Sequence, residues 1–255
     1  GNSIDLGVGV DTLLFTTATT NDTVTLASTT ITGAKSLTYQ DTALGAAITT
    51  GAGSDKIIFQ DQASGLAAIS TNSGGDSIQF LKSGYVTGVV DMGAGGDSIY
   101  GADLLSGKGS VSGGAGADTF LISTLSDTAI YGGADQDSIN ISGSLYGATV
   151  DFGAGNEQLT LTAGSTASNV QGGAGNDTFV VTAANLLTAT SIGGGAGKDS
   201  VSFGAVLSNN YVYGGADNDT LNFAAGVDNG ALVSGDAGSD LLLFSSTVSA
   251  SSVYG

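Results

Sequence analysis

Acidic residues recur at regular intervals along this chain, each at the end of a glycine-rich turn. The clearest copy is GGAGNDTFVV, from Gly172 to Val181, in which apolar side chains lie two and four residues after Asp177. We call the residue equivalent to Asp177 the anchor of each copy. The anchors are Asp11, Lys35, Asp55, Asp76, Asp97, Asp118, Asp137, Glu157, Asp177, Asp199, Asp219 and Asp240. A repeat of fixed period indicates that the chain folds as a series of similar structural units.

The anchor carboxylates predict a cation site. Unit charges stacked about 5 Å apart repel by roughly 3 kcal/mol per pair at an effective dielectric of 20, and the chain has only 5 basic residues against 23 acidic ones. Carboxylates and the carbonyls of tight glycine turns form an all-oxygen site, which suits Ca²⁺ better than Zn²⁺ or copper. We therefore predict several Ca²⁺ ions along one edge. The candidate ligands are Asp11, Asp55, Asp76, Asp97, Asp118, Asp137, Glu157, Asp177, Asp199, Asp219 and Asp240, with Asp135, Asp217 and Asp236 as further carboxylates within the turns.

The elements that position these carboxylates are short strands. Apolar residues at every second position after each anchor, with Ser, Thr or Asn between them, are typical of a half-buried strand. A further apolar residue seven positions before most anchors indicates a second strand that leads into the turn. A coil of about 20 residues with two strands buries its apolar side chains only by stacking on the next coil.

The sequence thus predicts an all-β fold, a parallel β-helix or β-roll solenoid of about twelve coils with two short strands per coil. We expect one elongated unit over residues 1–255, with irregular first coils over 1–40 and regular repeats over 41–255. The Ser- and Ala-rich stretch between the strands has no fixed polar motif and is expected to be an irregular turn. Both ends of the chain have ordinary repeat sequence. We expect a segment of a longer array, or a subunit that stacks end to end.

The composition excludes several functional classes. A net charge of −18 argues against nucleic acid as a partner, because phosphate contacts need Lys and Arg. The sequence has no Cys or His, and nothing in it resembles a nucleophile with its base, so we predict no enzymatic activity. No run of eighteen apolar residues is present, and no transmembrane segment is expected. The alternative interpretation of the anchors is that each Asp merely caps its own turn.

The turn sequence resembles GGxGxDxUx, the calcium-binding nonapeptide of RTX, haemolysin-type proteins. Within that group the chain is similar to the long solenoids of bacterial surface-layer proteins and large adhesins. The resemblance implies Ca²⁺ between consecutive turns, held by Asp side chains and turn carbonyls of adjacent coils, and export by type I secretion before folding. Here the motif marks one edge only. Glu157 is expected to reach too far, and Lys35 to abolish its site.

The resulting functional hypothesis is a structural one. We predict a calcium-stabilised extracellular solenoid of a bacterial surface assembly, such as a surface layer, a filament or an adhesin stalk. Its expected partners are copies of itself, as a homo-oligomer or filament, or flanking domains of the assembly. Two alternatives stay open: a calcium-dependent module that binds ice or glycans, and a C-terminal RTX secretion and folding module of a secreted enzyme.

Overall fold

A computed structural model describes residues 3–5, 11–15, 19–20, 23–26, 35–39, 43–44, 47–182, 187–204 and 206–255. Every regular element in these ranges is a β-strand. Among the same residues there is no helix long and apolar enough to cross a membrane. The predicted all-β parallel solenoid is confirmed: strands of one coil pair in parallel, in register, with the equivalent strands of the next.

Each coil contains a leading strand before the glycine turn, a trailing strand after the anchor and a short corner strand. Four long strands include a corner segment within them, so some coils have only two separate strands. The leading strands are Ser3–Asp5, Thr23–Leu26, Ala47–Thr50, Ala63–Ser70, Gly84–Asp91, Ser110–Ala115, Ala129–Ala134, Thr149–Ala154, Asn169–Ala174, Ser191–Ala196, Tyr211–Ala216, Leu232–Ala237 and Ser252–Tyr254. Two of these, Ala63–Ser70 and Gly84–Asp91, begin with the corner segment.

The remaining strands complete the coils. The trailing strands are Asp11–Phe15, Lys35–Tyr39, Lys56–Phe59, Ser77–Phe80, Ser98–Gly107, Thr119–Ser126, Ser138–Ile141, Gln158–Leu161, Thr178–Val181, Ser200–Phe203, Thr220–Phe223 and Leu241–Phe244. Of these, Ser98–Gly107 and Thr119–Ser126 continue into the corner. The separate corner strands are Thr19–Thr20, Ala43–Leu44, Leu145–Tyr146, Ser165–Thr166, Leu187–Thr188, Leu207–Ser208 and Val227–Asp228.

The core lies inside the coils and consists of columns of like residues. The predicted strand alternation is visible in Thr178–Val181, where Phe179 and Val181 are fully buried. Aromatic rings stack from coil to coil: the centroids of Phe203 and Phe223 are 5.2 Å apart, with their planes 4° from parallel. This spacing is close to the 4.7–4.9 Å between paired strands, so one residue type repeated in register fills the interior continuously.

The corner strand is the main difference from the two-strand coil that the sequence predicts. It contributes another buried column, which comprises Ala63, Gly84, Leu105, Leu125, Leu145, Ser165, Leu187, Leu207 and Val227. Since these side chains are almost completely excluded from solvent, the stretch that we expected to be an irregular turn is a third side of the core. Burial of a Leu or Val side chain stabilises a fold by about 1.5–3 kcal/mol.

The first coils contain an insertion between regular strands. Val24 pairs with both Ile4 and Ile48, so it belongs to the leading strand of its coil. Asp11 and Lys35 are in register at the start of successive trailing strands, as the spacing predicts. Their side chains lie outside the part of the chain that the structure describes. The predicted organisation into one unit over residues 1–255 stays a prediction.

Candidate metal centre

The anchors from Asp55 to Asp240 form a single file along one edge of the solenoid. The backbone N–H of each anchor from Asp55 to Asp219 donates a hydrogen bond to a carboxylate oxygen of the anchor in the next coil. Nine such bonds run in sequence from Asp55 to Asp240, with N···O distances of 2.7 to 3.0 Å. Except for Asp240, these anchors are at most 3% exposed. The acidic side chains therefore lie inside the turns rather than on the surface of the rod.

The second oxygen of the anchor carboxylates is buried without a hydrogen-bond partner. This is so for Asp97, Asp118, Asp137, Glu157, Asp177, Asp199, Asp219 and Asp240 within the part of the chain that the structure describes. Buried polar atoms in native proteins are nearly always paired. An unsatisfied one costs about 1–3 kcal/mol, and more when it is charged. A repeated set of such oxygens indicates that something absent from the chain itself satisfies them.

Five of the unpaired oxygens, those of Asp118, Asp137, Asp177, Asp199 and Asp219, face small cradles between adjacent coils. We call the residue five positions before each anchor the lining residue. At Gly194, a β-carbon would overlap Oδ2 of Asp199 and lie 2.5 Å from the carbonyl oxygen of Gly214, the lining residue of the next coil. The same pairing of a carboxylate oxygen with a carbonyl from the next coil surrounds the positions of Gly113, Gly132, Gly172 and Gly214.

The electrostatic environment of the anchors is unfavourable to their charged form. The pKa of Asp97, Asp118, Asp137 and Asp199 is raised to about 6, mainly by burial and in part by neighbouring carboxylates. Burial likewise raises the pKa of Glu157 to about 7. The hydrogen bond from the preceding anchor opposes these shifts but does not cancel them. None of the charges acting on these five groups is positive, so a bound cation would supply what the chain lacks.

The coil of Asp76 has a threonine in place of the lining glycine. The pKa of Asp76 is raised to about 6, mainly by burial, and the hydrogen bond from the N–H of Asp55 opposes this shift. Thr71 is the lining residue of that coil and is fully buried. Its side chain occupies the region that is open in the glycine coils.

Asp135, Asp217 and Asp236 lie apart from the buried file. All three are exposed on the turns and have left-handed backbone conformations, with φ values of 75°, 79° and 69°. Glycine occupies the equivalent positions in neighbouring coils. These carboxylates add negative charge near the anchors, since Asp135 raises the pKa of Asp118. Their predicted role as ligands stays a prediction.

Glu157 has the backbone position of an anchor but a different carboxylate placement. One oxygen accepts the N–H of Asp137 at 2.7 Å, as an Asp would. The other lies where a β-carbon of Gly155 would be, at the turn, and not beside lining residue Phe152. The expectation that the longer side chain reaches too far to hold an ion stays a prediction.

The backbone carbonyls that could act as metal ligands were not identified individually from the sequence. They belong to Gly132, Phe152, Gly194, Gly214 and other lining residues. The sequence feature that could have located them is the first glycine of the GGxGxD turn. In the described part of the chain, no three carboxylates converge on one point. A cation here would be held mainly by one carboxylate and by backbone carbonyls, which are the oxygen ligands that Ca²⁺ accepts.

The fold and the buried file define a one-sided β-solenoid with carboxylates between its turns. A solved structure with the same architecture is a hyperactive, Ca²⁺-dependent, β-helical antifreeze protein from an Antarctic bacterium, with a TM-score of 0.61 and 22% sequence identity. The match covers 87% of this chain and 60% of the antifreeze protein. At this identity the similarity shows the fold alone. No family model matches the chain, and no curated protein matches it in sequence, so membership of the RTX family stays a prediction.

Proposed function

We propose that this chain is a calcium-stabilised structural solenoid of an extracellular bacterial surface assembly, such as a surface layer, a filament or an adhesin stalk. The observation that supports calcium is the file of buried anchor carboxylates, five of which have an oxygen left unpaired at an oxygen-lined cradle. A dication would offset the repulsion of roughly 3 kcal/mol between neighbouring anchors. The Ca²⁺ dependence of a protein with the same fold supports the same choice of ion.

The residues that would hold the ion are Asp118, Asp137, Asp177, Asp199 and Asp219 through Oδ2, each with the lining carbonyl of the next coil. The ion supplies positive charge at sites that the chain leaves negative. The protein itself fixes each carboxylate, because Oδ1 is already bonded to the preceding anchor. Weak sites of this kind suit an environment with millimolar calcium, as outside the cell.

A structural role, rather than catalysis, is supported by how the chemistry-bearing groups are arranged. The anchor carboxylates from Asp55 to Asp219 lie inside the turns, where a substrate could not reach them. The proposed partners are copies of the chain or flanking domains of the assembly.

Calcium dependence is tested by circular dichroism and thermal melting of the chain after chelation. Addition of 1–10 mM CaCl₂ should raise the melting temperature by tens of degrees and increase the β signal, whereas NaCl of equal ionic strength should have little effect. A melting curve that is the same in chelator and in 10 mM CaCl₂ would exclude calcium stabilisation.

Ice binding is a second candidate, favoured by the antifreeze activity named for the structural neighbour. The outer surface of the turns presents an exposed, in-register file of small side chains, namely Ala94, Ala115, Ala134, Ala154, Ala174, Ala196, Ala216 and Ala237. Thermal hysteresis in calcium would support this candidate. Its absence at millimolar protein concentration, with calcium bound, would leave the structural role.

A further inference from the structure

We propose that the calcium file is interrupted, and that an ion is held only in coils where the lining residue is glycine and a carbonyl of the next coil faces it. The inference rests on the proposed calcium binding and specifies its sites. The lining residues are Thr50, Thr71, Met92, Gly113, Gly132, Phe152, Gly172, Gly194, Gly214 and Gly235, in order along the file. At Gly235 the three nearest atoms all belong to Asp240, so this coil is not counted. Two blocks of ions follow, one at Asp118 and Asp137 and the other at Asp177, Asp199 and Asp219.

In the glycine coils the cradle is the space that a β-carbon would fill. At Gly214, that atom would overlap Oδ2 of Asp219 and lie 2.6 Å from the carbonyl oxygen of Gly235. At Gly113 it would overlap Oδ2 of Asp118 and lie 2.7 Å from the carbonyl of Gly132. These distances are too short for carbon but bring oxygens of two coils to one point. Any side chain at the lining position competes directly with the ion.

The threonine coils replace the ion with a hydroxyl group. Thr71 Oγ1 donates to the carbonyl oxygen of Met92 at 2.8 Å, and Thr50 Oγ1 donates to the carbonyl of Thr71 at 3.3 Å. These carbonyls are the equivalents of those that face the cradles in the glycine coils. Both threonines are buried. The hydroxyl therefore bonds to the carbonyl oxygen that would otherwise be a ligand of the ion. These coils are closed without calcium.

Met92 and Phe152 close their coils with apolar side chains. Both are fully buried, and the ring of Phe152 stacks on that of Phe179 with centroids 5.6 Å apart. In the coil of Phe152 the anchor is Glu157, whose free oxygen is turned away to Gly155. Two independent changes therefore coincide in this coil and separate the two blocks of ions.

The number of bound ions in the full chain tests the proposal without any variant. Equilibrium dialysis against radioactive calcium should give a stoichiometry close to five, clearly below one ion for each of the ten acidic anchors from Asp55 to Asp240. A stoichiometry of nine or ten would overturn the interruption while calcium binding stands. No bound calcium at all would refute the proposed function itself, so the two failures are distinguishable.

Variants at single lining positions assign the sites. Gly194→Ala should reduce the stoichiometry by one ion. The control is Gly204→Ala, ten residues further on, where a β-carbon would have its nearest neighbour at 3.6 Å; it should retain the wild-type count. Thr71→Gly should add an ion by opening a closed coil. The interruption would be wrong if Gly194→Ala kept all ions, or if Thr71→Gly folded normally and gained none.

Discussion

The backbone N–H of Asp177 donates to Oδ1 of Asp199 at 2.8 Å, while Oδ2 of Asp199 is buried and has no partner. One half of each carboxylate thus joins two coils, and the other half is held ready for a ligand. Because the first oxygen is fixed by the backbone, the second cannot turn to solvent without breaking the link between coils. One side chain thus links two coils and also offers an oxygen to the proposed ion.

Asp199→Asn should separate these two roles. The amide oxygen can still accept the N–H of Asp177, and the amide nitrogen can donate to the nearby carbonyl of Gly214. Without calcium, we expect a melting temperature several degrees above that of the wild type, because a buried negative charge is removed. With calcium, the increment in melting temperature should be smaller than in the wild type. Asp151→Asn, on the outer face of a leading strand, is the matched control and should change neither value. A lower melting temperature of the variant in chelator would contradict this account.

The stability of the calcium-free protein should fall as the pH rises from about 4 to 7. The pKa of Asp118, Asp137 and Asp199 is about 6 in the fold and about 3.9 in an unfolded chain. The folded state therefore binds more protons in this window, and the free energy of unfolding decreases with pH. Melting in chelator should show a higher midpoint at pH 5 than at pH 7.5. With saturating calcium the difference should shrink or reverse, since the ion requires deprotonated ligands; the same pH trend with and without calcium would contradict this.

Leu207→Ala tests the corner column as part of the core. Leu207 is fully buried, and truncation of such a residue typically costs 2–5 kcal/mol. The neighbouring Val206 is 38% exposed, so Val206→Ala should change the free energy of unfolding by less than about 1 kcal/mol. Urea unfolding in calcium measures both values. Equal effects of the two variants would mean that the corner is a surface turn.

Ala167→Gly should stabilise the protein, although glycine normally destabilises a fold. Ala167 has a φ of 51°, a left-handed conformation that costs a residue with a β-carbon roughly 1 kcal/mol. Ala174→Gly is the control, since Ala174 is equally exposed but ends the strand Asn169–Ala174 without a positive φ. We expect opposite shifts of the melting midpoint, upward for Ala167→Gly and downward for Ala174→Gly. A downward shift for both would show that the corner is not strained.

The columns next to the anchors could be predicted because their spacing is constant. Phe179 and Val181 follow Asp177 by two and four residues, as their equivalents do in nearly every coil, and this fixed spacing also predicts the parallel fold. The corner column lies at a nearly constant distance from the anchors, but its residue type changes: it is Ala63, Gly84 and Ser165 in three of the coils. Because these small residues interrupt the leucines, the sequence shows no continuous apolar column at this position.

The charged side chains of the candidate site could be predicted from the sequence, but the other groups of the site could not. Asp177 and Asp199 were identified from residue type and spacing alone. The carbonyl of Gly214 was not, because every residue has a carbonyl and only the folded turn determines which one faces inward. The role of Thr71 as a substitute for glycine was equally hidden, since Ser and Thr occur at many other positions of the repeat.

The links between anchors also bear on how a repetitive chain avoids pairing with the wrong neighbour. Neighbouring coils are similar enough for strands to pair one residue out of step, and such a slip turns every side chain to the opposite face. A slipped strand would place an anchor carboxylate away from the N–H that it normally accepts. The links therefore penalise misalignment at every coil, and variation from Thr71 to Gly113 to Phe152 at the lining position makes successive coils chemically distinct. Correct alignment of the coils is thus encoded in the same residues that are proposed to hold the ion.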